Sequence, residues 1–128
     1  MNSSRKTICV IDDERQVCDL IRLILESRDY ECVVAHDGRT GLERVRERHP
    51  AAVITDMMMP GMNGQDLLAE LRRDAATRDI PVMVMTGLTE NQGYTDEEWR
   101  ERLEVQAFLS KPLDPDTLLD TLEKLLSA

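Results

Sequence analysis

Short apolar runs alternate with amphipathic stretches along the whole chain, and this alternation limits the possible folds more than any other feature of the sequence. Five short runs predict β-strands, at residues 7–11, 31–35, 51–55, 80–85 and 107–109. Between them, apolar residues recur three and four positions apart, which indicates helices. Because parallel strands are joined by crossover connections, the repetition predicts a parallel sheet with helices on both faces.

Local signals mark where two of the helices begin. Asp114 and Pro115 form an N-cap followed by a proline at the first helical position, and Thr95 with Glu98 fits a capping box. No internal repeat, linker or low-complexity segment interrupts the 128 residues. The sequence therefore predicts one α/β domain.

The charge balance narrows the range of partners. With 25 acidic and 16 basic residues the formal net charge is −9, which disfavours nucleic-acid binding and suits a divalent cation or a basic partner surface. No apolar run reaches the ~18 residues of a membrane span, and residues 1–7 lack a signal-peptide core, so we expect a cytoplasmic protein without membrane contact. Cys9, Cys18 and Cys32 are widely spaced, which predicts buried apolar side chains rather than disulfides or a zinc site.

Polar residues follow the predicted strands at their carboxyl ends, the edge of the sheet where α/β proteins bind ligands. Asp12 and Asp13 follow the first strand, Asp56 the third, Thr86 the fourth and Lys111 the fifth. Clustered carboxylates repel one another and favour a hard cation such as Mg²⁺, which prefers oxygen ligands. An aspartate beside such a metal can attack phosphorus and form an acyl phosphate, while a lysine and a hydroxyl offset charge on the phosphoryl oxygens.

Each residue of this set also has an ordinary structural interpretation. Asp12 and Asp13 before a helix can be a cap, and Asp56 before a Pro- and Gly-rich loop can be a turn residue. Lys111 before a proline can mark the end of a strand. The convergence of all these residues at strand ends favours the phosphoryl-transfer site.

Four motifs make the chain resemble the receiver domain of two-component response regulators. They are IDDE at 11–14, DMMMPGMNG at 56–64, TG at 86–87 and KP at 111–112, in order and at near-family spacing. We assign residues 1–6 to a short polar N-terminal segment and residues 7–126 to the receiver domain. The resemblance implies a flavodoxin-like, CheY-like fold, with a doubly wound five-stranded parallel sheet in the order 2-1-3-4-5.

The resemblance also implies a phosphoacceptor and a metal site. Asp56 would accept a phosphoryl group from a sensor histidine kinase or a histidine phosphotransfer protein. The reaction would need Mg²⁺, for which Mn²⁺ can substitute. Asp12, Asp13 and Asp56 would hold the metal together with the backbone carbonyl of Met58.

Further residues would respond to phosphorylation in the manner of the family. Lys111 would pair with the phosphoryl group, and its bond to Pro112 would be cis. Thr86 would turn toward the phosphoryl group, and Phe108 would be the aromatic switch residue, with a plain core aromatic as the alternative. The surface around the fourth helix, fifth strand and fifth helix would then bind a partner, with a homodimer on phosphorylation as one outcome.

Two features depart from the common family pattern. The interval from Thr86 to Lys111 is a few residues longer, and residues 105–107 read VQA where a Gly-Ala pair is frequent. Residues 89–104 are polar and acidic, with Trp99 and Leu103 as a thin apolar stripe. We therefore expect a fourth helix of unusual length or start, with low local stability.

The residues that follow Asp56 and Thr86 affect two expectations: the rate at which the acyl phosphate hydrolyses, and the choice between competing functions. In the family that the chain resembles, the residues two positions beyond the phosphoacceptor and two beyond the threonine influence hydrolysis of the acyl phosphate. Here they are Met58 and Leu88, whose apolar side chains cannot orient an attacking water, so the resemblance implies slow autodephosphorylation. A Mg²⁺-dependent aspartyl-phosphate phosphohydrolase is the main alternative, but Met58 cannot serve as its general acid. A receiver-like scaffold without phosphorylation and a flavin-binding protein are weaker alternatives. The sequence favours a signalling module over an enzyme that turns over external substrates.

Overall fold

The chain forms a parallel sheet with helices on both faces. The computed structural model describes residues 5–87 and 94–127. Its strands are β1 Thr7–Ile11, β2 Glu31–Ala35, β3 Ala52–Asp56, β4 Val82–Thr86 and β5 Ala107–Ser110. They alternate with the helices α1 Arg15–Glu26, α2 Gly38–Arg48, α3 Gly64–Arg73, α4 Asp96–Leu103 and α5 Pro115–Ser127. All strand pairs are parallel and the order is β2-β1-β3-β4-β5, which confirms the predicted doubly wound fold.

Alternate residues of each strand point to opposite faces and so build two apolar cores. On one face, Ile8 and Val10 of β1 pack in a cluster that includes Ile21 of α1 and Leu118 of α5. On the other face, Cys9 and Ile11 join a cluster formed with the following side chains of α2, α3 and α4: Leu42, Leu67 and Trp99. Burial of each large side chain stabilises the fold by roughly 1.5–3 kcal/mol. The two cores therefore cover both faces of the sheet, whose central strand is β3.

The third and fourth strands run further toward the carboxyl edge than the sequence predicts. Asp56 and Thr86 are the last residues of β3 and β4, not the residues after them. Asp56 pairs with Met85, and Thr86 pairs with Ser110. β4 begins only at Val82, because the N–H of Ile80 donates to the carbonyl of Thr77 in a turn and Pro81 has no N–H to donate.

Both predicted helix starts are confirmed. The side-chain oxygen of Thr95 accepts from the N–H of Glu98, whose carboxylate accepts from the N–H of Thr95 in return. Asp114 Oδ2 accepts from the N–H of Thr117 in the first turn of α5. Residues 89–93 of the polar stretch before α4 lie outside the described residues.

The three cysteines lie in or against the apolar cores. All three cysteines are free thiols, with Cys9 and Cys18 buried and Cys32 partly buried. Burial raises the pKa of Cys9 and Cys18 to about 12. Among the helices of the described ranges, none has both the length and the apolar character that crossing a bilayer requires.

Candidate functional site

Three aspartates meet at the carboxyl edge of the sheet. Asp12 and Asp13 directly follow β1, and Asp56 ends the neighbouring strand β3. One carboxylate oxygen from each residue lies within 4.8 Å of those of the other two. Asp12 and Asp56 are buried and Asp13 is exposed, so the cluster opens to solvent on one side. Adjacent parallel strands ending at one level bring the three side chains together.

Asp12 is a fully buried carboxylate with a defined set of donors. Its Oδ1 accepts from the N–H of Glu14 at 2.9 Å, and its Oδ2 accepts from Lys111 Nζ at 3.0 Å. Burial raises the pKa of Asp12 above its ordinary value, and the hydrogen bonds from Glu14 and Lys111 offset only part of that rise. Burial therefore disfavours the ionised form of Asp12 in the folded chain, beside the carboxylates of Asp13 and Asp56.

The positively charged ammonium group of Lys111 lies among the carboxylates. Besides Asp12, its ammonium lies 3.4 Å from Asp56 Oδ2 and 3.5 Å from Glu14 Oε1. Burial alone would lower the pKa of Lys111, but the hydrogen bond with Asp12 and the charge of Asp56 outweigh it and raise the pKa. The backbone N–H of Lys111 donates to the carbonyl of Thr86 at 2.7 Å, and the bond from Lys111 to Pro112 is cis.

Thr86 and Phe108 lie on the neighbouring strands β4 and β5. Thr86 is fully buried, and its hydroxyl donates to the carbonyl of Gly87 at 3.3 Å. Phe108 is buried, and its ring stacks on Trp99 of α4 with centroids 5.8 Å apart and an interplanar angle of 14°. Trp99 in turn contacts Tyr94 edge to face at 5.1 Å. The structure thus joins the site edge to α4 through aromatic contacts.

The loop from β3 to α3 carries the remaining predicted residue, Met58. Its side chain is 53% exposed, whereas Met57 and Met59 on either side are each 7% exposed. The N–H of Gly64 donates to the carbonyl of Met57 at 2.9 Å. A Cβ at Gly64 would lie only 2.7 Å from the carbonyl oxygen of Asp56, so a side chain there would displace the loop. Leu88, named with Met58 as apolar, lies outside the described residues.

Three side chains near Asp12 are not among the site residues that the sequence predicts. Glu14 contacts Lys111, His36 Nδ1 lies 3.2 Å from the carbonyl oxygen of Asp12, and the thiol of Cys18 donates to the same oxygen at 3.4 Å. His36 directly follows β2, so the strand-end argument used for the aspartates also applied to it. The contact of Cys18 had no signal in the sequence, because it depends on which way one helical side chain points.

The donor set fits a hard divalent cation. The cluster supplies carboxylate oxygens, which Mg²⁺ and Mn²⁺ prefer, and its open side leaves room for waters or a further oxygen ligand. Three like charges within 4.8 Å repel one another, and a dication would relieve that repulsion. The residues present are therefore compatible with the metal that the resemblance implies.

Residues 8–123 match the family model of the response regulator receiver domain. The chain belongs to this family and is a receiver domain of two-component response regulators. It is 33% identical over 120 residues to protein PilH of Pseudomonas aeruginosa, an alignment that covers 94% of this chain and 97% of PilH. It is 32% identical over 123 residues to the phosphate regulon transcriptional regulatory protein PhoB of the same organism, covering 94% of this chain and 52% of PhoB. The chain thus spans about half the length of PhoB.

Solved structures agree with the fold. A response regulator receiver domain protein from Clostridium thermocellum superposes with a TM-score of 0.83 at 27% identity, covering 95% of this chain and 94% of that chain. The chemotaxis protein CheY4 of Vibrio cholerae superposes with a TM-score of 0.82 at 23% identity, covering 95% and 99%. The likeness to CheY4 shows the fold alone.

Proposed function

We propose that this receiver domain accepts a phosphoryl group on Asp56 from the phosphohistidine of a sensor histidine kinase or histidine phosphotransfer protein. One observation carries the proposal: Asp12, Asp13 and Asp56 present carboxylate oxygens within 4.8 Å of one another, and Lys111 Nζ lies within 3.4 Å of both Asp12 and Asp56. An acceptor carboxylate, a cation and a set of metal ligands are thereby held at one point. These are the components of phosphoryl transfer to aspartate.

In the transfer, a carboxylate oxygen of Asp56 attacks phosphorus. A P–O bond forms as the P–N bond of the phosphohistidine breaks, and the imidazole nitrogen keeps the electron pair. Asp12, Asp13 and Asp56, with the backbone carbonyl of Met58, would hold Mg²⁺, which when bound offsets negative charge on the phosphoryl oxygens. Lys111, already close to Asp56 Oδ2, offsets the same charge from a second direction.

The response to phosphorylation uses residues on β4 and β5. The hydroxyl of Thr86 turns toward the new phosphoryl oxygens, and the side chain of Phe108 follows it into the space that opens. Because the Phe108 ring is stacked on Trp99, its movement changes the packing of α4. The surface formed by α4, β5 and α5 then changes its affinity for an output partner or for a second copy of the chain.

Phosphorylation by a small phosphodonor tests this proposal. Incubation with acetyl phosphate and Mg²⁺ should add one phosphoryl group, seen by intact-protein mass spectrometry, and chelation of the metal should prevent it. Asp56→Asn should remain unlabelled, because an amide cannot form the acyl phosphate. Asp120→Asn, which changes an exposed aspartate of α5, is the matched control and should label like the parent. Equal labelling of Asp56→Asn at the same site would exclude Asp56 as the acceptor.

A further inference from the structure

Four of the six residues that follow Asp56 are methionines, and they differ sharply in exposure. Met57 and Met59 are each 7% exposed and belong to the apolar core, whereas Met58 between them is 53% exposed. Met62 is partly buried, and Met83 and Met85 of β4 are fully buried. Among the described methionines, Met58 is therefore the one whose side chain is more than half open to solvent.

Backbone hydrogen bonds and core packing set which of Met57, Met58 and Met59 is exposed. The N–H of Met57 donates to the carbonyl of Met85 at 2.8 Å, and its carbonyl accepts from Gly64. Met57 and Met59 fill the core beside Leu67 and Leu68 of α3, so the residue between them must face outward. Met58 is two residues from the phosphoacceptor at the end of β3, so its Cα lies at most roughly 7 Å from that of Asp56 and its exposed side chain is near the site.

We propose that Met58 is a reversible oxidation site whose sulfoxide shortens the lifetime of the phosphoryl group on Asp56. The oxidant is hydrogen peroxide or another two-electron peroxide. The sulfur attacks one peroxide oxygen, an S–O bond forms as the O–O bond breaks, and the departing hydroxide takes up the proton and leaves as water. The sulfur loses two electrons and the peroxide gains them. Sulfoxide reductases reverse the change at the expense of thiols.

The consequence for Asp56 rests on the proposed function. A thioether sulfur accepts hydrogen bonds weakly, whereas a sulfoxide oxygen accepts them strongly. Oxidation therefore converts an apolar side chain two residues from the phosphoacceptor Asp56 into a polar one. A water that donates a hydrogen bond to the sulfoxide is held beside the acyl phosphate, where it can attack phosphorus and release inorganic phosphate. One added hydrogen bond of ordinary strength corresponds to about a fivefold faster decay.

Selective oxidation is measured first, on the full chain. After limited treatment with hydrogen peroxide, peptide mapping should find sulfoxide at Met58 several-fold sooner than at Met57, Met59, Met83 or Met85. Cys9 and Cys18 should remain thiols, because burial and a pKa of about 12 keep the reactive thiolate scarce. Oxidation that begins at the buried methionines, or at equal rates throughout, would overturn the assignment.

The decay of the acyl phosphate is then compared before and after peroxide within each variant. The rate constant should rise about fivefold in the parent and in Met62→Leu, which keeps Met58, and should fall back after sulfoxide reductase treatment. Met58→Leu keeps every other methionine and cysteine, and its rate constant should be unchanged by peroxide. Met58→Gln places a polar side chain of similar length there and should decay faster than Met58→Leu without oxidant.

The outcomes separate this inference from the proposed function. If the untreated protein takes up phosphate at Asp56 but peroxide accelerates decay equally in Met58→Leu, the effect arises elsewhere and Met58 is not the switch. If Met58 oxidises and decay does not change, the sulfoxide has no bearing on the acyl phosphate. If the untreated protein takes up no phosphate at all, the proposed function fails, and the consequence for decay fails with it.

Discussion

Asp12, a proposed metal ligand, is also a residue whose burial destabilises the fold. Its carboxylate is fully buried, and such a charge is costly unless it is paired. Lys111 Nζ at 3.0 Å supplies the pairing, yet the pKa of Asp12 remains raised. Natural proteins commonly keep such destabilising arrangements where function needs them. Because Lys111 offsets part of the cost of burying Asp12, we expect removal of Lys111 to lower the stability of the fold.

Replacement of Lys111 by methionine should strand the buried carboxylate. We expect Lys111→Met to lower the free energy of unfolding by about 3 kcal/mol at pH 7, measured by urea denaturation. Lys124→Met removes an exposed lysine of α5 and should change the stability by less than about 0.5 kcal/mol. A Lys111→Met variant as stable as Lys124→Met would show that the pairing contributes nothing.

The same variant should have a characteristic pH dependence. The pKa of Asp12 is higher in the folded chain than in the unfolded chain. Its contribution to the stability of the folded state is therefore complete below the unfolded-state pKa and is lost as pH rises through the folded-state pKa. Loss of Lys111 raises the pKa of Asp12 further. The stability difference between parent and Lys111→Met should thus be small near pH 4 and grow toward neutral pH. A difference that stays constant over that range would contradict this account.

At the scale of secondary-structure elements, α4 is held against β5 and α3 by hydrogen bonds and an aromatic contact rather than by a row of aliphatic side chains. Near its first turn, Asp96 Oδ1 accepts from the hydroxyl of Ser110 at 2.6 Å and Oδ2 accepts from the N–H of Ser110 at 3.2 Å. Trp99, one turn later, stacks on Phe108 of the same strand. At the other end, Arg72 of α3 donates to the carbonyls of Leu103 and Glu104. The helix is thus anchored to β5 at two points and to α3 at a third.

Asp96 should therefore control the local stability of α4. We expect Asp96→Ala to release the start of the helix, so that the amides of α4 exchange with deuterium roughly ten times faster while those of β1 and β3 are little affected. The fluorescence of Trp99, the one tryptophan of the chain, should shift to longer wavelength as its ring gains access to water. Glu101→Ala changes an exposed acid of the same helix and serves as the control. Equal exchange rates in the two variants would refute a specific role for Asp96.

The sequence predicts the strands better than it predicts α4, for a physical reason. Continuous β-rich runs place each strand within one or two residues, since burial on both faces of the inner strands β3 and β4 favours uninterrupted apolar runs. The strand-end rule likewise brings Asp12, Asp56 and Lys111 together correctly. The anchoring of α4 depends instead on Ser110 and Phe108, which are close in space and not in sequence. Neither periodicity nor composition reveals such tertiary contacts.

For the whole molecule, the proposed metal site would link cation binding to folding. The unfolded chain separates Asp12, Asp13 and Asp56, whereas the folded chain holds their oxygens within 4.8 Å. A cation that needs all three therefore binds the folded state and shifts the unfolding equilibrium by mass action. Three like charges held close together also lower the stability of the metal-free protein. Both effects change the free energy of unfolding of the whole domain, because a small single domain unfolds cooperatively.

Thermal unfolding should accordingly depend on Mg²⁺. At a free concentration ten times the dissociation constant, Mg²⁺ should stabilise the protein by about 1.4 kcal/mol, which raises the midpoint by roughly 3–6 °C in a domain of this size. Asp13→Asn should lose most of that rise, and should begin from a higher midpoint without metal because one repelling charge is gone. Asp19→Asn, an exposed aspartate of α1, should respond to Mg²⁺ as the parent does. An equal rise from NaCl at the same ionic strength, or an undiminished rise in Asp13→Asn, would mean that screening of surface charge rather than binding at the cluster stabilises the fold.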